Sequence, residues 1–327
     1  DVYKRQLFAP TVHCAVIKVC AINCKLPLRI YIIDMRKFFI KKECKMSRKY
    51  AILGETLKHT MSPPIHARLF ELKNREYEYE ILEVKPEELK DKAEYLNSLN
   101  GYNITIPHKI GIIDYTDELD QSAKRYHSVN CVDNKNGRHV GYNTDCDGFL
   151  RTVRAMNIDF TGKILLIGCG GVGRMMAIEA ALAGADLYIA VLENDMPLAK
   201  QVEKEIKAMK SDARITIVLN TEIPTDVHYE LLMNACPVGM YPKTNACPVP
   251  DEVIRASGAV FDVIYNPRET LLMQKAKAMG KNAVGGMAML VWQAVSAHEI
   301  WDGDEYTDEE VQSIIDEMEI AVEKDFK

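Results

Sequence analysis

The sequence predicts an α/β fold in two domains, and three observations carry that expectation. The chain has 327 residues, more than one hydrophobic core usually serves, so two domains of ordinary size are the natural division. From Met46 onward, short runs of strand-forming residues alternate with helix-length amphipathic stretches, the order that builds a parallel, helix-flanked sheet. An almost wholly apolar run, Lys163–Ile167, lies between Gly162 and Gly168, as a central parallel strand buried on both faces would.

The elements follow in order. A strand at Tyr50–Leu53 leads to a helix at Pro64–Lys73, then a strand at Glu78–Val84 and a helix at Pro86–Leu99. Pro63-Pro64 and Pro86 suit helix starts, where a missing N–H costs nothing. The second series begins at Lys163–Ile167 and continues with strands at Leu187–Leu192, Ile215–Leu219, Leu231–Asn234, Val260–Ile264 and Asn282–Val284. Trp292–Trp301 reads as an apolar-periodic helix and Asp308–Lys324 as a charged amphipathic one. The expected division is a first α/β unit over 46–149, completed by C-terminal helices within 287–327, and a second unit over 150–286.

Composition narrows the function classes. A net charge of -6 and a pI near 5.8 provide no global basic field for nucleic acid, so a small-molecule enzyme fits better; either a monomer or a homodimer is expected. Residues 1–45 stand apart, with ten Lys/Arg against three Asp/Glu and with Cys14, Cys20, Cys24 and Cys44. We expect translation to begin properly at Met46 and residues 1–45 to be a non-native or disordered extension; a targeting segment is the rival reading. The apolar run Cys14–Ile22 is broken by Lys18 and is too short for a bilayer, so no membrane span is expected. The remaining cysteines, Cys131, Cys146, Cys169, Cys236 and Cys247, have neither disulfide-framework nor zinc spacing, which favours a reducing cytoplasm.

Chemistry first surfaces at Gly168-Cys169-Gly170-Gly171-Val172-Gly173, directly after the apolar strand and before a helix-like stretch. Glycines there permit a tight turn and let the backbone approach a pyrophosphate, whose charge the free N–H groups of a helix start attract. With a further strand ending near Glu193, this context predicts a Rossmann-type, doubly wound dinucleotide-binding domain.

A set of polar residues lies in the other half. His59-Thr60-Met61-Ser62-Pro63 resembles the His-Ser-x-Ser-Pro segment of the shikimate dehydrogenase family, and Asn103-Ile104-Thr105-Ile106-Pro107-His108-Lys109 resembles its Asn-Val-Thr-x-Pro-x-Lys segment. Ser128-Val129-Asn130-Cys131, Gly141-Tyr142-Asn143-Thr144-Asp145, Asn234–Met240, Asp262–Pro267 and Gly286–Gln293 continue the match in family order. The resemblance implies reversible reduction of 3-dehydroshikimate to shikimate, in the route to chorismate and the aromatic amino acids. Lys109 and Asp145 would be the catalytic pair. Thr60, Ser62, Asn103, Thr105, Asn130 and Gln293 would hold the substrate with Tyr265 nearby, and Gly168, Gly170, Gly171, Val172, Gly173, Gly286 and Met289 would line the cofactor site. The residue types suit a polyhydroxylated carboxylate, which needs hydroxyl and amide partners. Alcohol oxidation also needs an acceptor for the proton released as hydride departs.

Taken singly, the same residues have plainer readings: Lys109 a solvated lysine after a strand, Asp145 a turn or N-cap residue, and Thr60 or Ser62 a helix cap. His59, His66 and His108 lack metal-ligand spacing, so no metal is expected. Two other functions fit the same motifs, a quinate/shikimate dehydrogenase of quinate catabolism and a non-catalytic dinucleotide-binding regulatory protein. Thr60 replaces the family's commoner serine, Cys131 and Cys236 replace threonines, and Gly285 stands where aspartate is frequent. Members that use NADP usually carry Asn-Arg-Thr where this chain reads Glu193-Asn194-Asp195. Of NAD and NADP, NAD is therefore expected, since carboxylates accept from ribose hydroxyls and repel a 2′-phosphate.

Overall fold

The computed structural model describes residues 48–58 and 60–325, all within one compact unit, Met46–Lys327. The expectations for residues 1–45 and for His59 lie outside the described residues. Two six-stranded sheets organise the molecule. The first has the order β2-β1-β3-β5-β6-β4, with β1 (Arg48–Gly54), β2 (Tyr77–Glu83), β3 (Gly101–Ile104), β4 (Glu118–Leu119), β5 (Cys131–Lys135) and β6 (Arg138–Tyr142). Strands β2, β1 and β3 are parallel, connected by α1 (Ser62–Leu72) and α2 (Leu89–Ser98). Met61 holds the N-cap position of α1 without a side-chain cap, so neither Thr60 nor Ser62 is the cap of that helix. Pro86 opens a short 3-10 turn, and α2 starts only at Leu89.

Beyond β3 the expectation of a parallel sheet is corrected, because β5 is antiparallel to both β3 and β6. The cause is local. Asn136 and Gly137 form a two-residue turn between the paired Lys135 and Arg138, with φ of 55° and 73°. Two successive positive φ values match the twist of a tight hairpin, and Asn-Gly is the pair that adopts them most readily.

The second sheet is wholly parallel, ordered β12-β11-β10-β7-β8-β9. Its strands are β7 (Lys163–Ile167), β8 (Asp186–Val191), β9 (Arg214–Leu219), β10 (Tyr229–Asn234), β11 (Ser257–Asp262) and β12 (Asn282–Gly285). The order reverses direction between β7 and β10, the signature of a doubly wound sheet with its binding crevice at that point. Ile164 to Ile167 are fully buried, as their position mid-sheet requires.

Two helices bridge the sheets. Helix α5 (Asp145–Ala155) follows β6 and leads into the second sheet, whereas α10 (Gly286–Asp302) returns from β12. Helix α10 is longer than its periodic part because Gly286–Val291 is buried almost all round, where periodicity is silent. With α1 and α11 (Asp308–Asp325), α10 encloses a core of Ile65, Leu69, Val291, Val295, Val311 and Ile314. Trp301 anchors its end by donating from Nε1 to the Val132 carbonyl at 2.9 Å.

Candidate functional site

One wall of a cleft of ≈ 710 Å³ comes from the crevice of the second sheet. Gly168 leaves β7 with φ of 86°, and helix α6 (Gly171–Ala183) begins three residues later. A Cβ on Gly173 would sit 2.5 Å from the Gly168 carbonyl oxygen, so only glycine lets the helix pack this close to the turn. A Cβ on Gly170 or Gly171 would meet no protein atom within 4 Å. These two glycines leave open space before the N–H groups of a helix start, a place suited in shape and polarity to a pyrophosphate. A dinucleotide therefore fits this loop. Ala235-Cys236-Pro237 after β10 and Val263–Asn266 after β11 complete the wall.

The facing wall comes from the first sheet. Lys109 lies in the short helix α3 (His108–Gly111), just after β3, and its carbonyl accepts from Val129 N at 2.7 Å. Asp145 is the first residue of α5, with Thr144 at the N-cap position, so its carboxylate faces the positive end of that helix. Lys109 Nζ donates to Asp145 Oδ2 at 2.5 Å. The pair is half-buried, at 24% and 20% side-chain exposure. Asn130 Nδ2 donates to Asp145 Oδ1 at 2.8 Å and to Thr144 Oγ1 at 3.0 Å, while Asn130 Oδ1 accepts from Thr144 N at 2.7 Å. Gln293, on α10, turns its Oε1 toward Asn130 Nδ2 at 3.4 Å and donates from Nε2 to Leu290 O. The bonds from Lys109 and Asn130 hold the Asp145 carboxylate in place, and Lys109 and Asp145 both line the cleft.

Of the residues singled out from sequence, Lys109, Asp145, Tyr265, Gly170, Gly171 and Val172 line the cleft. Asn130 holds Asp145 directly, and Gln293 meets Asn130. Gly168 and Gly173 shape the turn beneath the glycine loop. Ser62 and Asn103 are buried, Thr60 and Thr105 half-buried, near the ends of β1, β3 and the start of α1. Glu193 and Asn194 form an exposed 3-10 turn after β8. Gly286 abuts the Val263 carbonyl, and Met289 lies in the core around α5 and α6.

Several lining residues were not singled out: Ile106, Tyr126, Ser128, Asn143, Met240 and Tyr241. All but Tyr126 and Tyr241 sit inside segments that carry the family resemblance, so their place in those motifs was the available signal. Burial pushes the phenol of Tyr126 up, reinforced by its hydrogen bond to Glu179, and burial likewise raises Tyr265. Both phenols remain neutral O–H groups at neutral pH.

Residues 52–132 match the family model described as shikimate dehydrogenase substrate binding domain. The shikimate dehydrogenase (NADP(+)) of Carboxydothermus hydrogenoformans is 35% identical over 256 residues, covering 77% of this chain and 90% of that protein. The chain belongs to the shikimate dehydrogenase family. Among solved structures, shikimate 5-dehydrogenase from Thermus thermophilus in complex with NADP(H) and shikimate superposes with a TM-score of 0.71 at 29% identity, covering 83% of this chain and 99% of that one. The Listeria monocytogenes enzyme in complex with shikimate and NAD gives a TM-score of 0.73 at 28% identity, covering 82% and 96%. Membership accounts for the two-sheet architecture and the Rossmann-type fold.

Proposed function

We propose that the chain is a shikimate 5-dehydrogenase, interconverting shikimate and 3-dehydroshikimate at the expense of a nicotinamide dinucleotide. The observation that carries this reading is the Lys109–Asp145 pair at 2.5 Å, set in the same cleft as Gly170 and Gly171. When bound, the dinucleotide supplies hydride acceptance and donation. The chain's own residues handle the proton: as the alcohol carbon loses hydride, its O–H proton passes to the Lys109–Asp145 pair, and the C–O bond becomes a carbonyl. Asn130, held against both Asp145 and Thr144, orients that carboxylate. Thr60 and Ser62 supply hydroxyls for the substrate carboxylate, and Asn103, Thr105, Asn130 and Gln293 supply amide and hydroxyl partners for the ring, with Tyr265 beside them. Gly168–Gly173 would hold the pyrophosphate, with Gly286 and Met289 at the nicotinamide end.

For the dinucleotide itself we propose NAD. Glu193 stands exposed at the end of β8, where a carboxylate accepts from ribose hydroxyls and repels a 2′-phosphate. The Carboxydothermus relative is named for NADP(+) and the Listeria structure holds NAD, so either dinucleotide is found with similar proteins. The test is a spectrophotometric assay of shikimate and quinate, each with NAD and NADP. Shikimate is expected to be the better substrate and NAD the better cofactor by about tenfold in kcat/KM, a preference that Glu193→Ala should erode. Faster turnover of quinate would make the chain a quinate dehydrogenase, no turnover would leave a dinucleotide-binding protein, and an unchanged preference in Glu193→Ala would clear Glu193 of the role.

A further inference from the structure

Beside the proposed substrate site lies a buried arrangement that the proton chemistry leaves unused. Tyr79 on β2 is half-buried, with burial pushing its phenol up, and its O–H donates to Asn103 Oδ1 at 2.8 Å. Asn103 Nδ2 is buried and has no hydrogen-bond partner among the described residues. Were the carboxamide turned over, the phenol would have to accept from Nδ2 and its own proton would be buried without an acceptor. The orientation with Oδ1 toward the phenol is therefore the satisfied one, and it turns the NH2 group away from Tyr79. Register places Asn103 beside Cys131 on β5, next in sequence to Asn130, which grips Asp145.

Tyr79 is itself locked. Its ring stacks on His66 of α1, with centroids 4.6 Å apart and planes 19° apart. His66 Nδ1 meets His298 Nε2 at 3.0 Å, and His298 Nδ1 meets the Tyr306 hydroxyl at 3.1 Å. Tyr306 donates its proton to Leu69 O, so the chain of partners runs one way: His298 Nδ1–H donates to Tyr306, and His66 Nδ1–H donates to His298 Nε2. Burial holds both imidazoles neutral, which this tautomer assignment requires. The α10 residue His298 thus holds the α1 imidazole on which the Tyr79 ring stacks.

We infer that Tyr79 is a positioning residue for substrate recognition, holding the Asn103 carboxamide so that its NH2 group is offered to an acceptor oxygen of the polyhydroxylated carboxylate. The inference rests on the dehydrogenase reading above, which assigns Asn103 to the substrate. Removing the phenol oxygen leaves Asn103 free to turn and its Oδ1 buried without a donor, the loss of about one hydrogen bond's worth of orientation, or roughly tenfold in substrate affinity.

The experiment is a double-mutant cycle on the full chain with Tyr79→Phe, Asn103→Ala and the double variant. KM and kcat are measured for shikimate and KM for the dinucleotide, alongside melting temperature. Tyr79→Phe keeps the ring and its stack. It is expected to raise the KM for shikimate about tenfold with a much smaller change in kcat and in the dinucleotide KM, and to add nothing further in the Asn103→Ala background. A lower melting temperature with an unchanged shikimate KM, or additive effects in the double variant, would overturn the inference and leave the phenol a purely structural group. A wild type that does not oxidise shikimate overturns the dehydrogenase reading and this inference together, whereas an active wild type with an unaltered Tyr79→Phe variant overturns this inference alone.

Discussion

A lysine and an aspartate in hydrogen-bond contact on two different helices, α3 and α5, are individually ordinary; their shared place in a cleft is what gives them a task. Because a proton acceptor acts mainly in the transition state, Lys109→Ala and Asp145→Asn should each lower kcat by about 10² or more and leave the dinucleotide KM nearly unchanged in steady-state kinetics. Near-normal turnover in either variant would remove that residue from the pair. In the same first turn of α5, Asp147 behaves differently. Burial pushes its carboxyl up to about 6, against a smaller opposing pull from Arg151. A folded-state value above the unfolded one means that ionisation works against the fold, so stability is lost as pH rises from about 4 through 6. Asp147→Asn should therefore melt higher than wild type at pH ~8, by on the order of 1 to 3 kcal/mol, and match it near pH ~4. Equal melting temperatures at both pH values would show that the carboxylate is adequately solvated.

At the scale of elements, the glycine loop separates two functions that a motif merges. Gly173 serves packing, since a Cβ there would press on the Gly168 carbonyl, whereas Gly171 borders empty space. Gly173→Ala is expected to destabilise the protein by about 1 to 3 kcal/mol through overpacking. Gly171→Ala should leave the melting temperature essentially unchanged and raise the dinucleotide KM by about tenfold, because its methyl enters the space proposed for the pyrophosphate. A thermal melt and a dinucleotide titration of both variants check the contrast, which the opposite pattern would refute. The two sheets also differed in legibility. The second was readable strand by strand, with no end moved by more than three residues, because parallel buried strands are continuous apolar runs. In the first, the β5–β6 hairpin went unread although Asn136-Gly137 marks it, since His139, Arg138 and Lys135 break any clear alternation on half-exposed strands.

Across the whole molecule, α5 and α10 tie the wall that carries Lys109 and Asp145 to both sheets. They cross closely at Gly148, where a Cβ would lie 2.5 Å from the Met289 carbonyl. Asp145 begins one of these helices and Gln293 rides on the other, so Gly148→Ala should cost about 1 to 3 kcal/mol in stability and also depress kcat, as Asp145 shifts against Gln293. A variant that loses stability but keeps wild-type kcat would show that the crossing does not set the geometry of the site. The sequence by itself determined the α/β class, the strand–glycine–helix unit at 163–183 and the family membership. Those features are local: they depend on periodicity, on turn residues and on short motifs whose members are neighbours in the chain. Tertiary structure alone decided that Lys109 meets Asp145, that Asn130 holds that carboxylate and Gln293 meets Asn130, and that Tyr79, 24 residues from Asn103, holds its carboxamide. These pairings join residues on separate elements, and which side chains meet depends on strand register, hairpin direction and helix crossing, none of which any single segment encodes.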